Sequence, residues 1–176
     1  ALPIPSINYT TAGSFNGTSS KVDIASTSLG TSNTVSFWFY HNSSGSTFGT
    51  LAGGSTTTNP GLRSGLAFNP WYASGNIKSD KWNHVVFVRD ASKADADKIQ
   101  LSINNSTLAS YDTITFATPN FSTQTNIATI GQSFGGIQTL DGLMSSISTF
   151  TTAFTQSQVG TLYNSGQPSA DLSSLS

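Results

Sequence analysis

A chain of 176 residues has the length of one domain and can bury a core without covalent staples. Only 9% of its residues are charged, against about 25% in an average domain, and the net charge is −1. It has no basic stripe to neutralise a nucleic-acid backbone or anionic lipid, and no window near the ~18 apolar residues of a membrane-spanning helix. Without cysteine it has no disulfide, thiolate nucleophile or thiolate metal site.

Solubility therefore rests on uncharged polar groups, and Ser and Thr make up nearly a third of the chain. The opening "ALPIPSINYT" has no initiator Met and lacks the charged and long apolar regions of a signal peptide. It reads as the start of a processed chain or of a piece cut from a longer one. Pro3 and Pro5 disfavour helix, so residues 1–12 are expected as an extended arm able to touch a neighbouring chain.

From residue 13 onward the periodicity is that of strands. "NTVSFWFY" sets Val35, Phe37 and Phe39 on one face and Ser36, Trp38 and Tyr40 on the other. Residues 41–61 and 69–80, rich in Gly, Ser, Asn and Pro, are expected as loops. In "KWNHVVFVRD", Trp82, His84, Val86 and Val88 share one face, and Asn83, Val85, Phe87 and Arg89 the other. Both faces carry apolar residues, so this strand is expected to be central, with His84 inside it and no carboxylate within two positions to make it a base.

The charge-dense "RDASKADADK" at 89–98 reads as a solvated hairpin connection. Its Asp90, Asp95 and Asp97 lack the ordered spacing and terminal Glu of an EF-hand. "KIQLSINN", "TLASYDTITF", "NIATIGQ" and "GLMSSISTF" are further short strands. Many short strands at this spacing give an all-β sandwich or barrel of one domain. Near the end, Thr155 and Gln158 form a capping box, Val159, Leu162 and Tyr163 share a helical face, and Gly166 with Pro168 marks a stop. This short helix is expected to cover an edge or end of the sandwich.

The catalytic inventory is thin. All eight acids are Asp, and the closest pair, Asp95 and Asp97, falls in the solvated turn. Two histidines without Cys or Glu make a poor zinc site. "NPWYASGN" places Trp71 and Tyr72 between turn residues. Exposed rings there can stack on the apolar faces of sugars while Asn69 and Arg63 meet hydroxyls; the alternative is that Pro70, Trp71 and Tyr72 plug one end of the core.

Six motifs in order carry a resemblance. "GSFNGTSSKVDI", "NTVSFWFY", "KWNHVVFVRD", "KIQLSINNSTLA", "ATIGQSFGGIQTLDGLMSSISTF" and "FTQSQVGTLYNSG" together resemble the concanavalin A-like lectin/glucanase superfamily, and in particular its laminin-G-like jelly rolls. The resemblance runs from about Phe15 to Gly166 and implies a two-sheet antiparallel β-sandwich with one short C-terminal helix. It implies a domain over 13–167, between the arm at 1–12 and a tail at 168–176.

This fold hosts lectins, glycosidases, lyases, adhesins and virion proteins alike. Its glycosidases use a pair of glutamates, absent here, and its lyases a His and Tyr with Arg and Gln, for which His41, His84, Tyr40 and Arg63 show no supporting spacing. Where the resemblance would bring an acidic pair on the last strand, this chain has Ser145 and Ser146. Asp23 and Asp141, with Asn16 as an oxygen donor, are what remains for calcium, against the six to eight oxygens that ion takes.

The reading is therefore a non-catalytic, surface-displayed module without a cofactor, calcium being the one ion in question. Its expected setting is extracellular or on a virion surface, as a decoration protein of a capsid or appendage; the alternative is a carbohydrate-binding adhesin, and a polysaccharide lyase comes third. Expected partners are neighbouring subunits of an assembly, a glycan, or further copies of the chain, with no nucleic acid and no membrane insertion.

Overall fold

Strands that alternate apolar and polar residues bury one face only by pairing into sheets and stacking them. The computed structural model describes residues 12–41, 50–53, 62 and 63, 78, 80–94, 97–110, 126–132, 140–168 and 172–175. Among these, β1 (Gly13–Asn16), β2 (Val22–Ser28), β3 (Asn33–His41), β4 (Thr50–Gly53) and β5 (Leu62–Arg63) come first. They are followed by β6 (Trp82–Arg89), β7 (Ile99–Ile103), β8 (Ala109–Ser110), β9 (Asn126–Ile130), β10 (Asp141–Phe150) and the helix α1 (Gln156–Tyr163). The strands form two antiparallel sheets, one in the order β1-β10-β3-β6-β7-β8 and one in the order β2-β9-β4-β5.

Between the sheets the inward faces meet. Phe15, Val35, Phe37, Phe39, Val85, Phe87, Leu101, Ile103 and Met144 from the six-stranded sheet pack on Ile127 and Ile130 of β9. Gly131 makes room for this. It sits at φ +81°, and a Cβ there would overlap the ring of Phe15. Pairing of β3 with β6 is unbroken from Asn33↔Arg89 to Tyr40↔Trp82. That of β3 with β10 breaks at a bulge between Ser145 and Ser148, where Ser146 adopts φ 50°.

The outer face of the six-stranded sheet is also covered. Val86 and Val88 of β6 pack under Phe154, Val159, Leu162 and Leu175. The capping box forms as the spacing predicts: Gln158 N donates to Thr155 Oγ1, and Thr155 N donates to Gln158 Oε1 at 2.9 Å. Val159, Leu162 and Tyr163 are the buried face.

Four local expectations need correction. The helix lies across the outer face of the six-stranded sheet, not over an edge or end, because the β3–β6 centre offers the apolar surface its buried stripe needs. It stops at Asn164, whose left-handed φ of 44° comes before Gly166 can act as the cap. Residues 41–61 are not all loop: His41 ends β3, and Thr50–Gly53 pair with β9 through Ala52↔Ile130. Leu172 and Leu175, in the segment set apart as a tail, join the cluster under α1.

The turns follow their chemistry. Asp90 N donates to Lys98 O at 2.8 Å, closing the β6–β7 hairpin over an exposed stretch from Ala91 to Ala94. Asn104 and Asn105 both take left-handed φ values, 51° and 60°, and Ser106 N reaches Ile103 O at 3.0 Å. Positive φ at both central residues is the type I′ requirement, which Asn tolerates better than most residues.

Candidate functional site

Of the residues with catalytic chemistry, His84 is the most fully defined. It projects from β6 to the outer face of the six-stranded sheet, opposite Trp38 on β3. The two rings stack at 4.8 Å between centroids, and Tyr163 of α1 lies 5.8 Å from each. Ser36 Oγ meets His84 Nε2 at 2.8 Å, while Nδ1 has no hydrogen-bond partner among the described residues. His84 is 1% exposed, and burial pushes its pKa down to about 3. A neutral imidazole sealed by two aromatic rings, with a hydroxyl as its ring partner, is a packing group with no route to substrate.

Amides hold this strand in place. His84 N donates to the Asn104 side-chain oxygen at 2.9 Å, and Asn104 N returns a bond to His84 O at 2.9 Å. Asn83, fully buried, accepts from Lys78 N and from Asn104 Nδ2, and donates to Lys78 O and Lys81 O. The side-chain amides of Asn83 and Asn104 are thereby compensated for leaving water. The turn before β6 and the turn after β7 become one unit.

The expected glycan residues lie elsewhere. Arg63 ends β5, the edge strand of the four-stranded sheet, with its backbone opposite Thr50. Asn69, Trp71 and Tyr72 lie in the segment between β5 and β6, outside the described residues.

The expected calcium donors are divided. Asn16 and Asp141 face each other across β1 and β10, but Asp23 is in the other sheet, opposite Thr129 and bonded to Lys21 Nζ at 2.8 Å. Asn16 Oδ1 already accepts the backbone N–H groups of Thr18, Ser19 and Ser20 at 2.9–3.1 Å. It organises the turn that Gly17 makes at φ 72°, where a Cβ would come within 3.0 Å of Asp141 Cβ. Among the described residues no group of three or more His, Cys, Asp or Glu could hold a metal ion.

Sequence reasoning missed two features. Gly131-Gln132-Ser133-Phe134-Gly135 has the spacing of a nucleophile elbow, which needs a strand-to-helix turn. Here Leu140 N donates to Gly131 O at 2.8 Å, so the stretch joins β9 to the start of β10; Ser133 itself is outside the described residues. The second is the exposure of Val22 (48%) and Ile24 (38%) on β2. Its signal was the run "VDIASTS" itself, with two apolar residues among hydroxyls and no apolar partner face. Among the described residues no helix is long and apolar enough to cross a membrane.

A family model described as the concanavalin A-like lectin/glucanases superfamily, of laminin-G type, matches residues 16–160. No curated protein matches the chain. One similar solved structure is a protein of Bacteroides ovatus ATCC 8483 described as carbohydrate binding. Its TM-score is 0.51 at 19% identity, over 84% of this chain and 45% of that one. Another is the native heptameric SAP-like pentraxin from Limulus polyphemus, with a TM-score of 0.51 at 13% identity, over 85% of this chain and 79% of that one. The chain thus spans less than half of the bacterial protein, and at these identities both likenesses are of fold. With its two antiparallel sheets, its helix across the six-stranded one and a family match over most of its length, the chain belongs to the concanavalin A-like lectin/glucanases superfamily.

Proposed function

We propose that the chain is a non-catalytic carbohydrate-binding module that acts outside the cell. The observation that carries this reading is the covering of the β3–β6 centre of the outer face of the six-stranded sheet. Phe154, Val159, Leu162, Tyr163 and Leu175 cover it, and His84 and Trp38 are sealed beneath them. Ligand chemistry then falls to the four-stranded sheet, where β5 ends at Arg63; Asn69, Trp71 and Tyr72 follow it in the sequence, outside the described residues. A chain rich in hydroxyls and amides, with two aromatic residues adjacent in its sequence, suits a sugar, which offers apolar ring faces and a belt of hydroxyls. Membership of a lectin-rich superfamily supports the same reading.

The absence of Glu removes the pair of glutamates that glycosidases of the resembled fold use, and the sealed His84 removes one of two imidazoles from any lyase. A second reading, a decoration protein on a virion or appendage, is favoured by one observation. A chain with only 9% charged residues loses little on desolvating its surface against neighbouring subunits.

Binding to a panel of immobilised polysaccharides, comparing the native chain with Trp71→Ala and Arg63→Ala, tests the first reading. Retention of at least one polysaccharide, weakened tenfold or more by Trp71→Ala at an unchanged melting temperature, is expected. No retention by any member of the panel would leave assembly as the better reading.

A further inference from the structure

The surroundings of the His84 ring hold no charge. Trp38 and Ser36 approach it from β3 and Tyr163 from α1, while Asn104, just past β7, binds its backbone. Tyr163 is the titratable group among them, and burial pushes its pKa up, so its hydroxyl stays neutral. On β6 itself Trp82 and Val86 share the face of His84, and Arg89 lies on the opposite one. Burial alone perturbs the imidazole, with no carboxylate or cation acting on it.

An imidazolium has two N–H groups to place. Ser36 Oγ, 2.8 Å from Nε2, serves one, and Nδ1 has no hydrogen-bond partner among the described residues. Protonation therefore requires water at the ring, because a buried charge without acceptors is costly. Water could enter by parting β6 from its neighbours. That breaks ladders running from Asn33↔Arg89 to Tyr40↔Trp82 on one side and from Val85↔Ile103 to Arg89↔Ile99 on the other.

Lifting α1 costs less. Among the described residues no strand hydrogen-bonds to its backbone. Val159 and Leu162 rest on the Val86–Val88 cluster, Tyr163 stacks on Trp38, and Gln156 reaches Leu108 N and Ser106 O through its side chain. The helix follows β10, so its departure removes no strand from either sheet. Thr34 Oγ1 grips Thr152 O and Phe154 N, which pins the segment before the helix and leaves Thr155 as the hinge.

We propose that α1 is an acid-released cover: protonation of His84 swings it about Thr155 away from the six-stranded sheet, while both sheets stay paired. The opened form presents Trp38, Val86 and Val88 as an apolar strip on the outer face. Opening does not depend on what the chain binds.

Hydrogen exchange of the native chain from pH 7 to pH 5, corrected for the intrinsic rate at each pH, tests this amide by amide. Amides 159–164 should be less protected than those of β6 at every pH. Their protection should fall about 25-fold over that range, the ratio given by a site that titrates at 6.5 in the open form and about 3 in the closed one. His84→Gln, whose neutral amide can still meet Ser36, should make that protection independent of pH. Should the variant fail to fold, the native chain still decides. Protection of α1 equal to that of β6 would mean that helix and sheet open only together. Protection of α1 that ignores pH would mean that the helix opens without freeing His84. Either result overturns the proposal, as does an undiminished slope in folded His84→Gln. Polysaccharide retention is a separate measurement, so failure here leaves the carbohydrate reading standing, and the reverse.

Discussion

β6 and β2 are close in length, eight residues against seven, and opposite in setting. β6 has β3 on one side and β7 on the other, the inter-sheet core beneath it and α1 above, so every residue from Asn83 to Val88 is buried. β2 has β9 on one side, and its described side chains are all exposed. The compositions match these settings. "WNHVVFVR" is apolar on both faces, while "VDIASTS" sets two apolar residues among hydroxyls and one acid. The polar residues of β6 and its neighbour β3 are tolerated inside because Asn83, His84 and Ser36 are tied to named partners. Those of β2 need none.

The contrast breaks most severely at the aromatic stack. Trp38 is 2% exposed and packs against both His84 and Tyr163, so Trp38→Ala leaves a cavity beneath the helix. A loss of about 4 kcal/mol is expected from the range for buried aromatic truncations, read as a lower midpoint in urea unfolding. The loss should appear together with weaker protection of α1 amides from hydrogen exchange. Unchanged protection would mean that the helix is held independently of the stack.

Acid comes next. His84 titrates at its ordinary 6.5 when unfolded but near 3 when folded, because burial disfavours the cation. Between those values the unfolded chain binds more protons than the native one. The stability linked to His84 is therefore complete above pH 6.5 and falls as pH drops toward 3, by about 2 kcal/mol at pH 5. Melting temperatures from pH 7 to pH 4 should fall, and His84→Gln should flatten that slope. A slope equally steep in the variant would assign it to other groups.

What the sequence made legible follows the range of the contacts involved. The faces of β3 and β6 are written in two-residue alternation, and the start of α1 in the Thr155–Gln158 spacing, because both are local. The resting place of α1 is not local. Thr34 Oγ1 donates to Thr152 O and accepts from Phe154 N, across 118 and 120 residues, and no periodicity reports such a pair. β4 escaped for the same reason: "TLAG" has no alternation of its own and is a strand only because β9 and β5 pair with it. At the candidate site, the turn-forming work of Asn16 is local and its sheet partner Asp141 is 125 residues away. The assignment of Asp23 to the opposite sheet is a fact of topology alone.

The smallest effect is expected on β2, and it sharpens the contrast with β6. Ile24 is 38% exposed, and β2 slips against β9 between Asp23 and Thr27, so its methyl groups fill no tight site in the isolated chain. Ile24→Thr keeps the β-branch, and with it the strand propensity, while replacing apolar surface by a hydroxyl that water can satisfy. Its stability at a concentration where the chain is monomeric should stay within about 0.5 kcal/mol of the native value, measured by urea unfolding. The same change at Val86 of β6, Val86→Thr, puts a hydroxyl at 0% exposure among Phe154, Val159 and Leu162, and should cost about 1–3 kcal/mol. Two β-branched residues of similar size, on strands of similar length, would then differ only in what lies over them. Equal losses at the two sites would show that Ile24 is covered in the folded chain.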